Sequence, residues 1–320
     1  MRYRRLGRTN LDVSVLGLGS GGPSQLGQKS GVAEADVRHL VWRARDLGVN
    51  LIDTAADYGK SEAILGRALQ GLARNDYVLC TKFSPARRAQ TADGHQLLFR
   101  TEHDLIASCE RSLVRLQTDY IDVLQFHGVI PETYPHVRDT LYPAVQRIQE
   151  QGKVRFIGLT ESFAADDSWQ ALLLALADDL FDTLLVGYNL LTPGPEDDVF
   201  PKAQRQDVGI MIMCAVRRKI AQSADLEGLM MDLKRRGEVP ASVPAEAPLD
   251  WLLHGDVHSV TDAAYKFALG HPAVSSVLTG TASLQHLEAN VAAILGDRLP
   301  EEDRERLTSL FGPIGRKLGD

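Results

Sequence analysis

The chain has 320 residues, 44% of them hydrophobic and 24% charged, the balance of a globular protein with enough apolar mass for a large core. A net charge of −7 argues against a general nucleic-acid binder, and no apolar run approaches the length of a membrane span. The positively charged N-terminus has no apolar region of a signal peptide, and Cys80, Cys109 and Cys214 are too scattered for a disulfide framework or a metal site, so the expected setting is the cytoplasm.

Residues 1–12 read as a short hairpin turned around Gly7-Arg8-Thr9-Asn10. Apolar or β-branched runs then alternate with helical patterns almost to the end. The expected strands cover 13–19, 49–53, 77–82, 120–127, 154–159, 182–186, 208–213 and 274–279. Several are apolar on both faces, as parallel strands covered by helices must be. A helix over 34–47 carries Val37, Leu40, Val41, Ala44 and Leu47 on one face and stops at Gly48. Another, over 101–116, opens on Thr101 as N-cap and turns Leu105, Cys109, Leu113 and Leu116 inward. A third, over 141–151, carries Leu141, Val145 and Ile148. Residues 217–260 form a long connection that predicts a lid or extra helices. Eight strands in strict alternation predict an α/β fold: a (β/α)8 TIM barrel in one domain over 1–320, with an N-terminal β-hairpin and a long loop between strands 7 and 8.

Gly17-Leu18-Gly19-Ser20-Gly21-Gly22 matches GxGxxG, but Pro23 follows at once and helical pattern resumes only near Ala33. A dinucleotide fingerprint needs a helix opening at those glycines, so the Rossmann reading fails. A loop at the barrel mouth where backbone passes close to a ligand, through Gly19, Ser20 and Gly21, explains the glycines better; a merely flexible loop explains the spacing about as well.

The sharpest signal lies at the strand ends. Strand 2 ends at Asp53 with Tyr58 in the loop beyond, strand 3 ends at Lys82, and strand 4 ends at His127. C-terminal strand ends of a barrel converge on one mouth, with neighbours about 5 Å apart. The four side chains suit carbonyl reduction. An oxygen that gains charge as hydride reaches its carbon needs a proton, which Tyr58 can give. Lys82 would lower the phenol's pKa, Asp53 would hold the lysine's charge, and His127 would orient the substrate oxygen. Taken singly, each has a plainer explanation: a cap for Asp53, a snorkelling lysine, a structural histidine, a loop aromatic. Their shared position shifts the balance. A metal-dependent hydrolase would need further ligands beside His127, and none are placed there.

These residues resemble the aldo-keto reductase family. Its best-known signature is similar to Gly48-Val49-Asn50-Leu51-Ile52-Asp53-Thr54-Ala55-Ala56-Asp57-Tyr58-Gly59, with Thr81-Lys82 and Leu124-Gln125-Phe126-His127 matching two more positions. By that resemblance Asp53, Tyr58, Lys82 and His127 are a catalytic tetrad, and the cofactor is NADPH, with NAD possible. The late segment from Pro272 through Gly280-Thr281-Ala282-Ser283 to Asn290 resembles the family's adenosine-phosphate site. Thr281, Ala282 and Ser283 are expected to begin a helix and offer N–H groups to a phosphate, although Ser283 could simply cap it.

Four departures stand out. Thr160-Glu161 replaces the Ser-Asn that holds the nicotinamide carboxamide. Leu185 stands where a Gln is usual, no stacking Tyr follows strand 7, and His286 holds a position often given to a phosphate-gripping Arg. Arg217, Arg218 or Lys219 would compensate for the last. The expected activity is NAD(P)H-dependent reduction of small aldehydes, ketones or sugars; the alternative is a cofactor-binding, redox-sensing barrel with little turnover. Arg87, Arg88, His95 and Arg100 in the strand-3 loop suit a negatively charged substrate or an ordinary solvated loop. Oligomeric state is left open.

Overall fold

The computed structural model describes residues 1–22, 24–91 and 94–318. Pro23, expected to interrupt the glycine-rich turn, lies outside them, as does the side chain of His95. Eight parallel strands close into a barrel: β1 (Leu16–Gly19), β2 (Leu51–Asp53), β3 (Val78–Phe83), β4 (Ile121–Val129), β5 (Val154–Glu161), β6 (Thr183–Gly187), β7 (Gly209–Met213) and β8 (Val274–Thr279). They pair in chain order, and β8 closes the ring on β1. Among the described residues no helix follows the glycine-rich segment after β1 until Glu34, so the Rossmann alternative is excluded by the fold itself.

The strand expected over 13–19 divides at Val15. Asp12–Ser14 pairs antiparallel with Tyr3–Arg5 to make the N-terminal hairpin, and only Leu16–Gly19 enters the barrel. The seam is closed by a side chain: Asn50 Oδ1 accepts from Ser14 N at 2.7 Å, while Ser14 Oγ accepts from Asn50 N at 3.1 Å. Leu6 and Val13 of the hairpin are fully buried against Leu51, Val78, Cys80, Val123, Leu185 and Met211, plugging the bottom of the barrel. Alternate residues of each strand point inward, so the interior is layered. The lower layer is this apolar set; the layer above it holds Asp53, Lys82, Gln125 and Thr160, all buried and all polar.

The outer helices follow their apolar stripes. Glu34–Asp46 buries Val37, Leu40, Val41 and Ala44. Glu102–Leu116 opens on a capping box in which Thr101 and Asp104 satisfy each other's backbone N–H groups. Tyr142–Glu150 buries Ala144, Val145 and Ile148 and follows a π-helical turn at Val137–Leu141. The connection after β7 carries helices Arg218–Ala221 and Ser223–Arg235, the latter anchored by Leu226, Met230 and Leu233.

Two features were not expected. The segment after β3 is an antiparallel hairpin, Ala86–Thr91 with Gly94–Phe99, whose base is closed by Arg100 N donating to Pro85 O at 2.9 Å. The C-terminal segment also folds back over the ends of β5 and β6, where Leu318 N donates to Thr192 Oγ1 at 2.9 Å. Among the described residues no helix is long and apolar enough to cross a membrane.

Candidate active site

Asp53, the last residue of β2, and Lys82, near the end of β3, sit on adjacent strands with their side chains directed into the barrel. Both are almost wholly buried. Lys82 Nζ donates to Asp53 Oδ2 and to Thr54 O, the latter at 2.7 Å. Burial is the largest single influence and works against the ammonium, but the charge and hydrogen bond of Asp53 together with Tyr58 hold Lys82 above the usual lysine range. Burial likewise pushes the Asp53 carboxyl up, opposed by Lys82 and by a hydrogen bond from Gln125.

Tyr58 stands over this pair. Lys82 Nζ lies 5.3 Å from the centre of its ring, and its hydroxyl is 3.3 Å from His127 Nε2. The ring meets the imidazole edge-on. His127 is brought there by an irregularity in β4: the register with β5 shifts between Phe126 and Val129, and Gly128 takes a φ of 65°. Such bulges re-aim side chains next to active sites. Burial, then the nearby Lys82, pulls the His127 pKa down to about 3, so the imidazole is neutral across the physiological range. Tyr58 departs from expectation in one respect. Lys82 does pull its pKa down, but burial is the larger effect and the phenol is left above its ordinary value.

The glycines at the mouth serve close approach. A Cβ on Gly21 would meet the Tyr58 ring at 2.7 Å, whereas one on Gly280 would have only the carbonyls of Gly21 and Gly19 near it, at 3.6 and 3.8 Å. The loops after β1 and β8 thus form a bare-backbone cradle beside Tyr58. Within it the buried hydroxyl of Ser20 has no partner among the described residues.

The other expected contacts are distributed around the mouth. The helix after β8 is Leu284–Leu295, so Thr281 and Ala282 precede it and do not begin it. Ser283 is its N-cap, accepting from His286 N at 3.3 Å, and Thr281 Oγ1 accepts from Ser283 N at 3.0 Å. The cap side chain satisfies the first turn, which is why the helix starts one step later. His286 is exposed on that turn, and Asn290 donates to Thr279 Oγ1 at 2.8 Å. Thr160 is buried and donates to Gln125 Oε1 at 3.2 Å. Glu161 is fully engaged: Oε1 accepts from Gly187 N at 2.6 Å and Oε2 pairs with Lys317. Arg217 donates to Cys214 Sγ at 3.3 Å and lies over the Phe163 ring. Leu185 belongs to the apolar interior layer. Among the described residues no cluster of His, Cys, Asp and Glu is placed to hold a metal ion.

The sequence pattern of the aldo/keto reductase family matches residues 15–311. The chain belongs to the aldo/keto reductase family. Its relatives in that family include L-galactose dehydrogenase of Arabidopsis thaliana, 28% identical over 97% of this chain and 93% of that protein. Among solved aldo-keto reductases, the holo form from Bacillus halodurans is similar with a TM-score of 0.72 at 25% identity, covering 97% of this chain and 96% of its own. An aldo-keto reductase from Klebsiella pneumoniae, solved in complex with NADPH, is similar with a TM-score of 0.68 at 25% identity, covering 99% of this chain and 98% of its own.

Three site residues escaped the sequence. Gln125 had a signal, since it lies two residues before His127 on one face of a strand and is a polar residue between Val123-Leu124 and Phe126. Gln28 and Lys317 had none. Gln28 holds the Tyr58 loop, its Nε2 donating to Tyr58 O at 3.1 Å and its Oε1 accepting from Lys60 N at 2.7 Å.

Proposed function

We propose that this aldo/keto reductase reduces small aldehydes or ketones, sugars among them, to alcohols with NADPH, and that Tyr58 is the general acid. The observation that carries this reading is the Tyr58 hydroxyl, 3.3 Å from a neutral His127 Nε2 and set above the buried Lys82–Asp53 pair.

The residues at the mouth suit a dinucleotide. Gly19, Gly21 and Gly280 leave backbone bare for close approach, and the unpartnered Ser20 hydroxyl offers a buried hydrogen bond. Thr160 and Glu161 face the nicotinamide end in this reading. Thr281, Ser283, His286 and Asn290 would hold the adenosine-phosphate end with the first turn of Leu284–Leu295, and Arg217 adds a cation from the loop after β7. An imidazole grips a phosphate less firmly than the bidentate guanidinium common at such sites, so NADH is the second candidate donor. The Klebsiella relative with NADPH bound supports the phosphorylated form.

When bound, the reduced nucleotide supplies hydride. The chain's own residues handle the oxygen. His127 Nε2 and the Tyr58 hydroxyl converge on one point, where a carbonyl oxygen would be held between them. As that oxygen gains charge, Tyr58 gives it the phenolic proton, and the phenolate left behind faces the Lys82 ammonium. Asp53 keeps that ammonium charged in a dry setting.

The test is fluorescence titration with NADPH and NADH, then a screen of aldehydes, ketones and aldoses with the wild type and Tyr58→Phe. Turnover that disappears in the variant while nucleotide still binds supports the reading. Tight binding without turnover on any carbonyl would instead favour a redox-sensing barrel.

A further inference from the structure

Gln125 is completely buried in β4, and its side-chain amide touches both halves of the site. Its Nε2 donates to Asp53 Oδ1 at 3.0 Å, and its Oε1 accepts from Thr160 Oγ1 at 3.2 Å. Asp53 thus divides its oxygens, Oδ2 to Lys82 and Oδ1 to Gln125. An ionised carboxylate only accepts, so the amide nitrogen must face Asp53. The amide oxygen must then face Thr160, and two oxygens in contact need a proton between them. That proton is the one on Thr160. Its hydroxyl is therefore left with lone pairs alone to offer any further partner.

We propose that Gln125 is a positioning residue that locks Asp53 against Lys82 and, through Thr160, makes the nicotinamide end of the site an acceptor for the carboxamide N–H. The proposal rests on the cofactor reading above. It explains how a threonine serves there without ambiguity: a free hydroxyl could donate or accept, whereas one tied to Gln125 only accepts. A ring substituent with an N–H is selected over one with a carbonyl alone.

The experiment measures the dissociation constants of NADP⁺ and of its 3-acetylpyridine analogue, which lacks the amide N–H, by quenching of intrinsic fluorescence. One neutral hydrogen bond corresponds to a preference for NADP⁺ of about tenfold or less. The wild type is expected to show that preference unchanged between pH 6 and 9. In Gln125→Leu, or Gln125→Met should the first not fold, it is expected to fall below twofold, with kcat reduced and the carbonyl KM little changed.

Gln125→Glu supplies a sharper arm. Ionised or not, the introduced carboxyl accepts from Thr160, but only its protonated form can also donate to Asp53. The groups facing this position are the Asp53 carboxylate from β2 and the Lys82 ammonium from β3, with the Cys80 thiol one layer below. The preference is expected at every pH, whereas kcat relative to the wild type is expected to fall as pH rises, the introduced carboxyl ionises and its bond to Asp53 is lost. A preference that survives in the leucine or methionine variant, or that is lost in Gln125→Glu, overturns the proposal. Failure of the wild type to bind either nucleotide overturns the cofactor reading on which it stands, and is distinguished by being visible before any variant is made.

Discussion

Lys317 of the C-terminal segment forms a buried ion pair with Glu161 at the end of β5, across 156 residues of sequence. The ammonium also donates to Asp166 O and lies between the rings of Phe163 and Trp169. Burial pushes the Glu161 carboxyl up to about 7 even with Lys317 opposing it. Removing the lysine would strand that carboxyl in a dry site. Lys317→Met is expected to cost about 3–5 kcal/mol in urea unfolding, with most of the loss recovered by adding Glu161→Gln. The sign with pH follows: a carboxyl whose folded pKa is raised favours the folded state in acid and loses that advantage as pH rises toward about 7. The loss in Lys317→Met should therefore be larger at pH 8 than at pH 5. Equal losses at the two values would mean that the ion pair is not the source.

Tyr58→Phe removes only the hydroxyl. General acids contribute roughly 10²–10⁴-fold, so kcat should fall by that range while the nucleotide dissociation constant holds. A fall confined to KM would show that the hydroxyl binds substrate without protonating it.

His127 is held neutral, with its pKa pulled from the ordinary histidine range down to about 3. A group of this kind contributes stability that is complete above about pH 6.5 and is lost as pH falls toward 3. His271, pulled down to about 4 by burial, acts in the same direction. Thermal unfolding of His127→Gln should therefore depend less on pH than the wild type between pH 6 and 4. In catalysis, no acidic limb near pH 6.5 should appear in kcat/KM, and its appearance would show that His127 titrates in the working enzyme.

Gln28 clamps both sides of the Tyr58–Lys60 turn through two hydrogen bonds, and a third, from its Nε2 to Gln25 O at 2.8 Å, anchors it in its own loop. If Tyr58 is the general acid proposed above, Gln28→Leu should lower kcat about tenfold by loosening it, as small misplacements of catalytic groups do, with less effect on nucleotide affinity. Parallel losses in both quantities would point to collapse of the whole loop after β1.

The barrel and the grouping of Asp53, Tyr58, Lys82 and His127 at its mouth were legible because both rest on short-range patterns: strand and helix periods lie within windows of a few residues, and Asp53, Lys82 and His127 each end an apolar run. The Ala86–Phe99 hairpin was hidden because Ala-Arg-Arg-Ala-Gln-Thr has no alternation of apolar and polar residues; its pairing is carried by backbone. The Glu161–Lys317 contact was hidden for a different reason, since nothing in the local sequence at residue 161 specifies a partner so distant in the chain. Glu161 looked like an awkward substitute for asparagine. In the folded protein it is half of an ion pair, its two oxygens taken by Gly187 N and Lys317.

The hairpin after β3 closes its own base with a backbone bond, Arg100 N to Pro85 O, just before the self-contained cap at Thr101. Among the described residues its base meets the barrel through Phe99 against His136 and Arg100 over Phe83. Geometrically it is a cassette: its length and composition can drift while Lys82 on one side and the capped helix on the other stay in place. A lineage carrying this barrel could exchange what it admits at the mouth by rewriting this insert, leaving the chemistry untouched.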